Sequence, residues 1–174
     1  MSESSGPAAS PSGGATRDGF RAMMRGFPTG VAVVTVTDLA GAPRGMTCSS
    51  VCSVTLEPPT LLVCLRTGSP TLAAILARGE FVVNLLHEHA RSTAELFASG
   101  DPDRFDQVAW WSDGESSGPH LRRDAHAIAD CRVLMPLPVG DHMVVFGEIV
   151  RVSTRTERRP LLYGLRRYGK WAVA

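Results

Sequence analysis

Residues 45–59 read Gly45-Met46-Thr47-Cys48-Ser49-Ser50-Val51-Cys52-Ser53-Val54-Thr55-Leu56-Glu57-Pro58-Pro59, with five hydroxyl side chains (Thr47, Ser49, Ser50, Ser53, Thr55) in a segment of strand character. A strand turns alternate residues to opposite faces. As one continuous strand it would place Thr47, Ser49, Val51 and Ser53 on one face, with Met46, Cys48, Ser50, Cys52 and Val54 on the other. The first face is rich in short hydrogen-bonding groups and the second is mostly apolar. Each hydroxyl offers a donor and acceptors, which suits a flat ligand bearing carbonyls, ring nitrogens and a phosphate. A Ser/Thr-rich edge strand fits the same residues, so the segment by itself leaves its purpose open.

The flanks organise around this strand. Phe20, Met23, Met24 and Phe27 recur at the spacing of one amphipathic helix, ending at Gly26 or just beyond, before Pro28. Val31–Thr37 is a β-branched run and reads as a strand. Asp38 to Pro43 supplies the turn into the Gly45 segment. Beyond Pro58-Pro59, residues 60–66 form a short apolar strand. Ser69-Pro70 then has the signature of an N-cap followed by proline at the first helical position, with Gly79 closing that helix. A strand is expected at Glu80–Leu86 and a helix at His87–Ser99, with Leu96 and Phe97 on its buried face and Gly100 as its stop. Residues 101–120 are loop-rich. Long strands follow at Ala125–Leu137 and Met143–Thr154, joined by a turn at Val139-Gly140-Asp141. Regular βαβ alternation is missing, so the expected fold is mostly β (α+β): an antiparallel β-barrel decorated by a few helices.

Composition bounds the function. The chain has 174 residues, 44% hydrophobic and 20% charged, as expected of one globular domain. Residues 1–16 are Ser, Gly, Ala and Pro without an apolar run and are expected to be a disordered tail, leaving 17–174 as the domain. A net charge of +1 gives no footprint for nucleic acid or an anionic membrane. No apolar run approaches the roughly 20 residues of a membrane span. Four cysteines without metal or redox spacing fit reduced thiols in a cytoplasmic protein.

Six blocks stand in order along the chain. They are Phe27-Pro28-Thr29-Gly30-Val31, Gly45–Ser50, Ser53–Pro59, Phe81-Val82-Val83-Asn84-Leu85-Leu86, Gly140-Asp141-His142, and Leu161-Leu162-Tyr163 through Tyr168-Gly169. With these blocks the chain resembles the flavin reductase family on the FMN-binding split β-barrel, a Greek-key type of antiparallel barrel. Its members include the small reductase components of two-component flavin monooxygenases. The resemblance runs from about Phe20 to the C-terminus. It implies a homodimer that binds FMN or FAD and reduces it with NADH (NADPH being possible). The reduced flavin then diffuses to a partner flavin-dependent monooxygenase. The positions it implies for flavin are Met46, Thr47, Cys48, Ser49, Ser50, Ser53, Ser69, Thr71 and Asn84. For the nicotinamide dinucleotide they are Thr29, His142, Tyr163 and Arg166, with His142 the catalytic position. A helix N-terminus is independently a good anion site, and Arg66 or Arg44 would add the cation there. The chain departs from the family in two places. Its Thr-Ala-Asn-Ser-like signature is Thr47-Cys48-Ser49-Ser50, and Gly164-Leu165-Arg166-Arg167 carries an extra cation.

Other motifs carry less. His87-Glu88-His89 lacks the second histidine of a zinc helix, Arg91 standing in its place, so surface helix residues are expected and no metal. Trp110-Trp111 reads as a packed lid or a dimer contact. Neither G-x-G-x-x-G nor a P-loop occurs, so a dinucleotide would have to bind in a groove against the flavin. No nucleophile elbow supports hydrolysis. Two rival functions remain: a flavoprotein that keeps its flavin and reduces an organic substrate, and a non-enzymatic flavin- or haem-binding module.

Overall fold

The Thr16 hydroxyl accepts a hydrogen bond from Gly19 N–H (3.0 Å) and starts α1, Arg17–Arg25, which ends at Gly26. In this computed structural model residues 14–172 are described, so of the expected tail only 14–16 fall within them. The elements that follow are β1 (Thr29–Gly30), β2 (Ala32–Thr37), β3 (Pro43–Cys48), β4 (Val51–Leu56), β5 (Pro59–Arg66), α2 (Pro70–Arg78), β6 (Glu80–Leu86), α3 (Arg91–Ser99), β7 (Ala125–Val139), β8 (His142–Thr154), β9 (Leu161–Gly164) and β10 (Arg167–Lys170). Local signals act as read for α2. Ser69 caps it, Pro70 opens it, and Gly79 closes it at φ 72°, a left-handed conformation that costs glycine little.

Seven strands form one sheet in the order β3-β2-β6-β7-β8-β5-β4, with every paired neighbour antiparallel. The two edge strands β3 and β4 are consecutive in the chain, joined by Ser49 and Ser50 alone. Two residues cannot span an open seven-stranded sheet, whose strands lie about 4.8 Å apart. The sheet therefore curls until its edges meet. Cys64 N–H donates to Ser50 O (3.1 Å) and the Cys48 thiol to Cys64 O (3.7 Å) at that junction, while no β3–β4 ladder forms among the described residues. The result is a split β-barrel. A small sheet, β1-β9-β10, attaches beside β2 through Val31 N–H to Leu161 O (3.1 Å).

β2 shows why a β-branched run was required. Val34 and Val36 face the barrel core with Val63, Phe81 and Val145, whereas Val33, with Val31 just before the strand, faces a second cluster with Leu86, Phe97 and Leu121. Both of its faces are buried, and each such valine is worth about 1.5–3 kcal/mol of burial.

Two expectations are corrected. The 45–59 segment is two strands, not one, because the chain must cross the seam at Ser49-Ser50. The helix expected from His87 begins at Arg91 instead. His87 forms a bridge with Pro160, its N–H donates to Asp124 O (2.9 Å), and its Nδ1 accepts from His89 N–H (3.1 Å). These tertiary and local bonds outcompete helix extension. The α1 stripe exists, but nothing among the described residues buries it: Phe20 and Met23 are 60% and 64% exposed.

Candidate functional site

The seam is the centre of the site. Ser49 and Ser50 belong to no strand, so their hydroxyls are free of ladder geometry and exposed. They open onto a cleft of about 760 Å³ that is also lined by Thr29, Tyr163 and Arg166. Three distant segments meet there: the seam, the chain after α1, and the β9–β10 turn. The floor comes from Val51 and Cys52 of β4 with Leu62 and Cys64 of β5. Burial pushes the Cys64 thiol up, with Cys52 nearby adding to it, so Cys64 presents a neutral surface at pH 7. Exposed hydroxyls at the rim of an apolar floor suit a flat conjugated ring with a polar edge.

α1 supplies the outer wall through Arg21, Met24 and Arg25, with Phe27 just beyond its end, none of which the sequence pattern assigns to the site. A signal was present, since Arg17, Arg21 and Arg25 recur every four residues along the helix. The β9–β10 turn is tied to that wall, with Leu165 N–H donating to Arg25 O (2.8 Å).

The remaining expected flavin positions divide. Met46 is half-buried, and its sulfur accepts from the Ser69 hydroxyl (3.3 Å) beside the start of α2. Thr71 and Met46 line a second hollow of about 400 Å³ with Arg44 and Arg104. Arg44 is already bonded to Asp38 (3.0 Å). Thr47 is committed elsewhere, its hydroxyl donating to Ala94 O (2.6 Å) to pin α3. Cys48 is buried, and burial raises its thiol to about 11. Ser53 lies along β4 at a separate apolar hollow with Leu56, Val83 and Val152. Asn84 is set apart from the cleft. It is fully buried, donates to Val33 O (3.2 Å) and Thr35 Oγ1 (3.0 Å), and accepts from Leu121 N–H (2.8 Å). Its amide is structural and fastens the 111–121 loop to β2.

His142 begins β8 and does not line the cleft. It nevertheless shares the cleft floor's face. In β5, Leu61, Val63 and Leu65 are buried, while Leu62, Cys64 and Arg66 point outward. Cys64 pairs with Val144 and Arg66 with His142, so His142 stands two positions, about 7 Å, further along that outer surface. Its Nδ1 lies 2.8 Å from Asp141 Oδ1, and this hydrogen bond holds the Asp141 carboxyl below the usual carboxylate range. Trp111 packs in its own loop, beneath the Arg122 guanidinium (3.4 Å to the ring centre) and against His120. Among the described residues there is no His/Cys/Asp/Glu cluster that could hold a metal, and no helix is long and apolar enough to cross a membrane.

Comparison with known proteins bears on the family and the fold. The sequence profile of the flavin reductase like domain matches residues 24–172. A flavin reductase (NADPH) of Lentzea aerocolonigenes is 51% identical over 151 residues, covering 87% of this chain and 88% of that protein. A flavin reductase (NADH) of Kitasatospora aureofaciens is 43% identical over 157 residues, 90% and 82% of the two chains. Among solved structures, a Streptomyces globisporus NADH:FAD oxidoreductase in complex with NAD and FAD fragments superposes with a TM-score of 0.83 at 33% identity, over 90% of this chain and 93% of that one.

Proposed function

The chain belongs to the flavin reductase family and is an NAD(P)H-dependent flavin reductase; from that premise we propose that flavin and dinucleotide meet in the cleft beside the Ser49–Ser50 seam. The observation that carries this reading is the convergence of Ser49 and Ser50 with Thr29, Tyr163 and Arg166 on one cleft. The reduced flavin supplies a partner monooxygenase, the role named for reductase components among the relatives.

Hydride transfer from the dihydronicotinamide to flavin N5 is chemistry that the bound pair supplies. The residues contribute placement and exclusion of water. Ser49 and Ser50 hold the polar edge of the flavin ring, each able to donate or accept. Val51, Leu62 and Cys64 form a dry floor beneath it. The first turn of α2, capped by Ser69, offers backbone N–H groups and the positive end of the helix dipole to the flavin phosphate. Arg104 lines the hollow next to that turn and adds a cation. Thr29 and Tyr163 orient the nicotinamide from the opposite wall.

The working unit is a homodimer. Across the β7–β8 ladder, Met135 pairs with Phe146, Leu137 with Val144 and Val139 with His142. Met135, Leu137 and Val139 are exposed, making an apolar face continuous with the cleft floor. Soluble monomers rarely leave such faces uncovered. A second copy covers it and brings its own surface to the neighbourhood of His142.

The decisive assay is anaerobic oxidation of NADH and NADPH in the presence of FMN, FAD and riboflavin. Stoichiometric flavin reduction is expected, with KM for flavin rising when Ser49 and Ser50 are altered. A cleft variant pair that leaves every flavin and nicotinamide constant unchanged would move the site elsewhere.

A further inference from the structure

Three guanidinium groups line the cleft, Arg21 and Arg25 from α1 and Arg166 from the β9–β10 turn, and no carboxylate lines it among the described residues. Arg25 and Arg166 have no ion-pair partner among the described residues, and the Arg21 contact to Asp18 is long (3.9 Å) and exposed at both ends. Such a contact competes weakly with a bound anion. The turn carrying Arg166 is held in an unusual shape. Leu165 (φ 51°) and Arg166 (φ 60°) are both left-handed, a conformation that L side chains rarely adopt. The turn is fastened to its surroundings: Gly164 packs against Pro28, where a Cβ would stand 3.2 Å from Pro28 Cα, and Leu165 N–H donates to Arg25 O at the α1 terminus. Arg166 and Arg25 are thereby gathered at one wall by fixed backbone.

From these features we infer that Arg21, Arg25 and Arg166 are the receptor for the 2′-phosphate of NADPH, and that this chain selects NADPH over NADH. The inference rests on the assignment of the cleft to the dinucleotide. A site for NADH gains from a carboxylate that accepts the free ribose 2′-hydroxyl, whereas a 2′-phosphate is accommodated by arginine. This cleft has the arginines and, among the described residues, lacks the carboxylate. Guanidinium forks bind phosphate oxygens in parallel pairs, and several of them exceed what the dinucleotide's pyrophosphate alone would need.

The test compares kcat/KM for NADPH and NADH at saturating flavin in the wild type, Arg21→Ala, Arg166→Ala, and the Arg21→Ala/Arg25→Ala pair, with flavin Kd from fluorescence quenching. The wild type is expected to favour NADPH, and the ratio of the two constants to fall by roughly tenfold or more in the paired variant. Arg21→Lys should restore part of it, and 2′,5′-ADP should inhibit the wild type far better than 5′-AMP. Three outcomes overturn the inference. An equal loss for NADPH and NADH at unchanged flavin Kd would assign the cations to the pyrophosphate and keep the cleft as the dinucleotide site. A weakened flavin Kd with unchanged nicotinamide constants would give them to the flavin phosphate and remove the dinucleotide from the cleft. A wild type without preference for NADPH would refute selection outright.

Discussion

Arg66 and His142 stand opposite one another in the β5–β8 ladder, on the outer surface that carries Cys64 two positions away. The histidine thus flanks the cleft floor without entering the cleft. Its imidazole is held by Asp141 at a tight turn, where Thr67 N–H also donates to Asp141 O (2.9 Å).

That placement sets the expectation for His142→Ala. The substitution should lower kcat/KM for the nicotinamide by about tenfold, or about 1.4 kcal/mol of transition-state stabilisation. Flavin affinity, measured by fluorescence quenching, should stay close to wild type. Unchanged nicotinamide kinetics, or flavin affinity lost in step with turnover, would remove His142 from the reaction.

Ser49 and Ser50 sit outside any ladder and are exposed, so their hydroxyls carry little of the fold. Replacing both by alanine should raise the KM for flavin several-fold while leaving the melting temperature of the free protein within a few degrees. A collapse of stability with an unchanged flavin KM would make the seam purely structural.

Elements with strong local signals were legible from residues alone: the capped helix at Ser69–Gly79, the strands at 80–86 and 143–154, and the Gly140 turn. What the sequence could not show was closure. The alternation of residues 45–59 is continuous, and only the topology, which makes β3 and β4 the two edges of one sheet, forces the break at Ser49-Ser50. The same limit applies to the site. Ser49, Ser50, Thr29, Tyr163 and Arg166 are named through the matching blocks and line one cleft, whereas α1 is read only for its apolar stripe and its arginine recurrence is passed over. Asn84 lies in a matching block, yet its bonds to Val33, Thr35 and Leu121 are long-range and leave no trace in local pattern.

Asn84→Ala is accordingly a stability variant. It leaves the buried Leu121 N–H without its partner, at a cost of about 1–3 kcal/mol, and removes one of the two bonds of Thr35, whose hydroxyl still donates to Pro119 O. Urea denaturation should show a large fall in midpoint, while the folded fraction keeps its flavin affinity. Wild-type stability combined with lost flavin binding would place Asn84 in the flavin site instead.

Leu137 pairs with Val144 on the exposed apolar face of β7 and β8. Light scattering should give a dimer mass for the wild type at micromolar concentration and a shift toward monomer for Leu137→Lys. A wild-type monomer would refute the dimer.

Acid stability turns on Asp130. Its carboxylate is buried in β7, where Oδ1 accepts from the His120 ring at 2.9 Å and from Ser117 N–H at 3.2 Å, and Oδ2 accepts from Arg151 Nε at 2.9 Å. Burial alone would push this carboxyl up, but the bonds from His120 and Arg151 outweigh burial and hold it below the usual carboxylate range. With the folded value depressed, the unfolded chain binds more protons in the acid range, so stability rises with pH there. The contribution is complete at neutral pH and is lost from roughly pH 5 downward as the folded carboxylate takes its proton. What is lost is the clamp between the barrel and the loop at Ser117–His120. Asp130→Asn removes the charge while keeping the shape. It should destabilise the protein at pH 7 by about 2 kcal/mol or more, at the low end for a buried pair because Arg151 is partly exposed. The stability gap between wild type and variant should then hold steady from neutral pH to about pH 5 and narrow steadily from there to about pH 2.5 in urea midpoints. A gap that stays constant over that range would show that the clamp does not depend on the Asp130 charge.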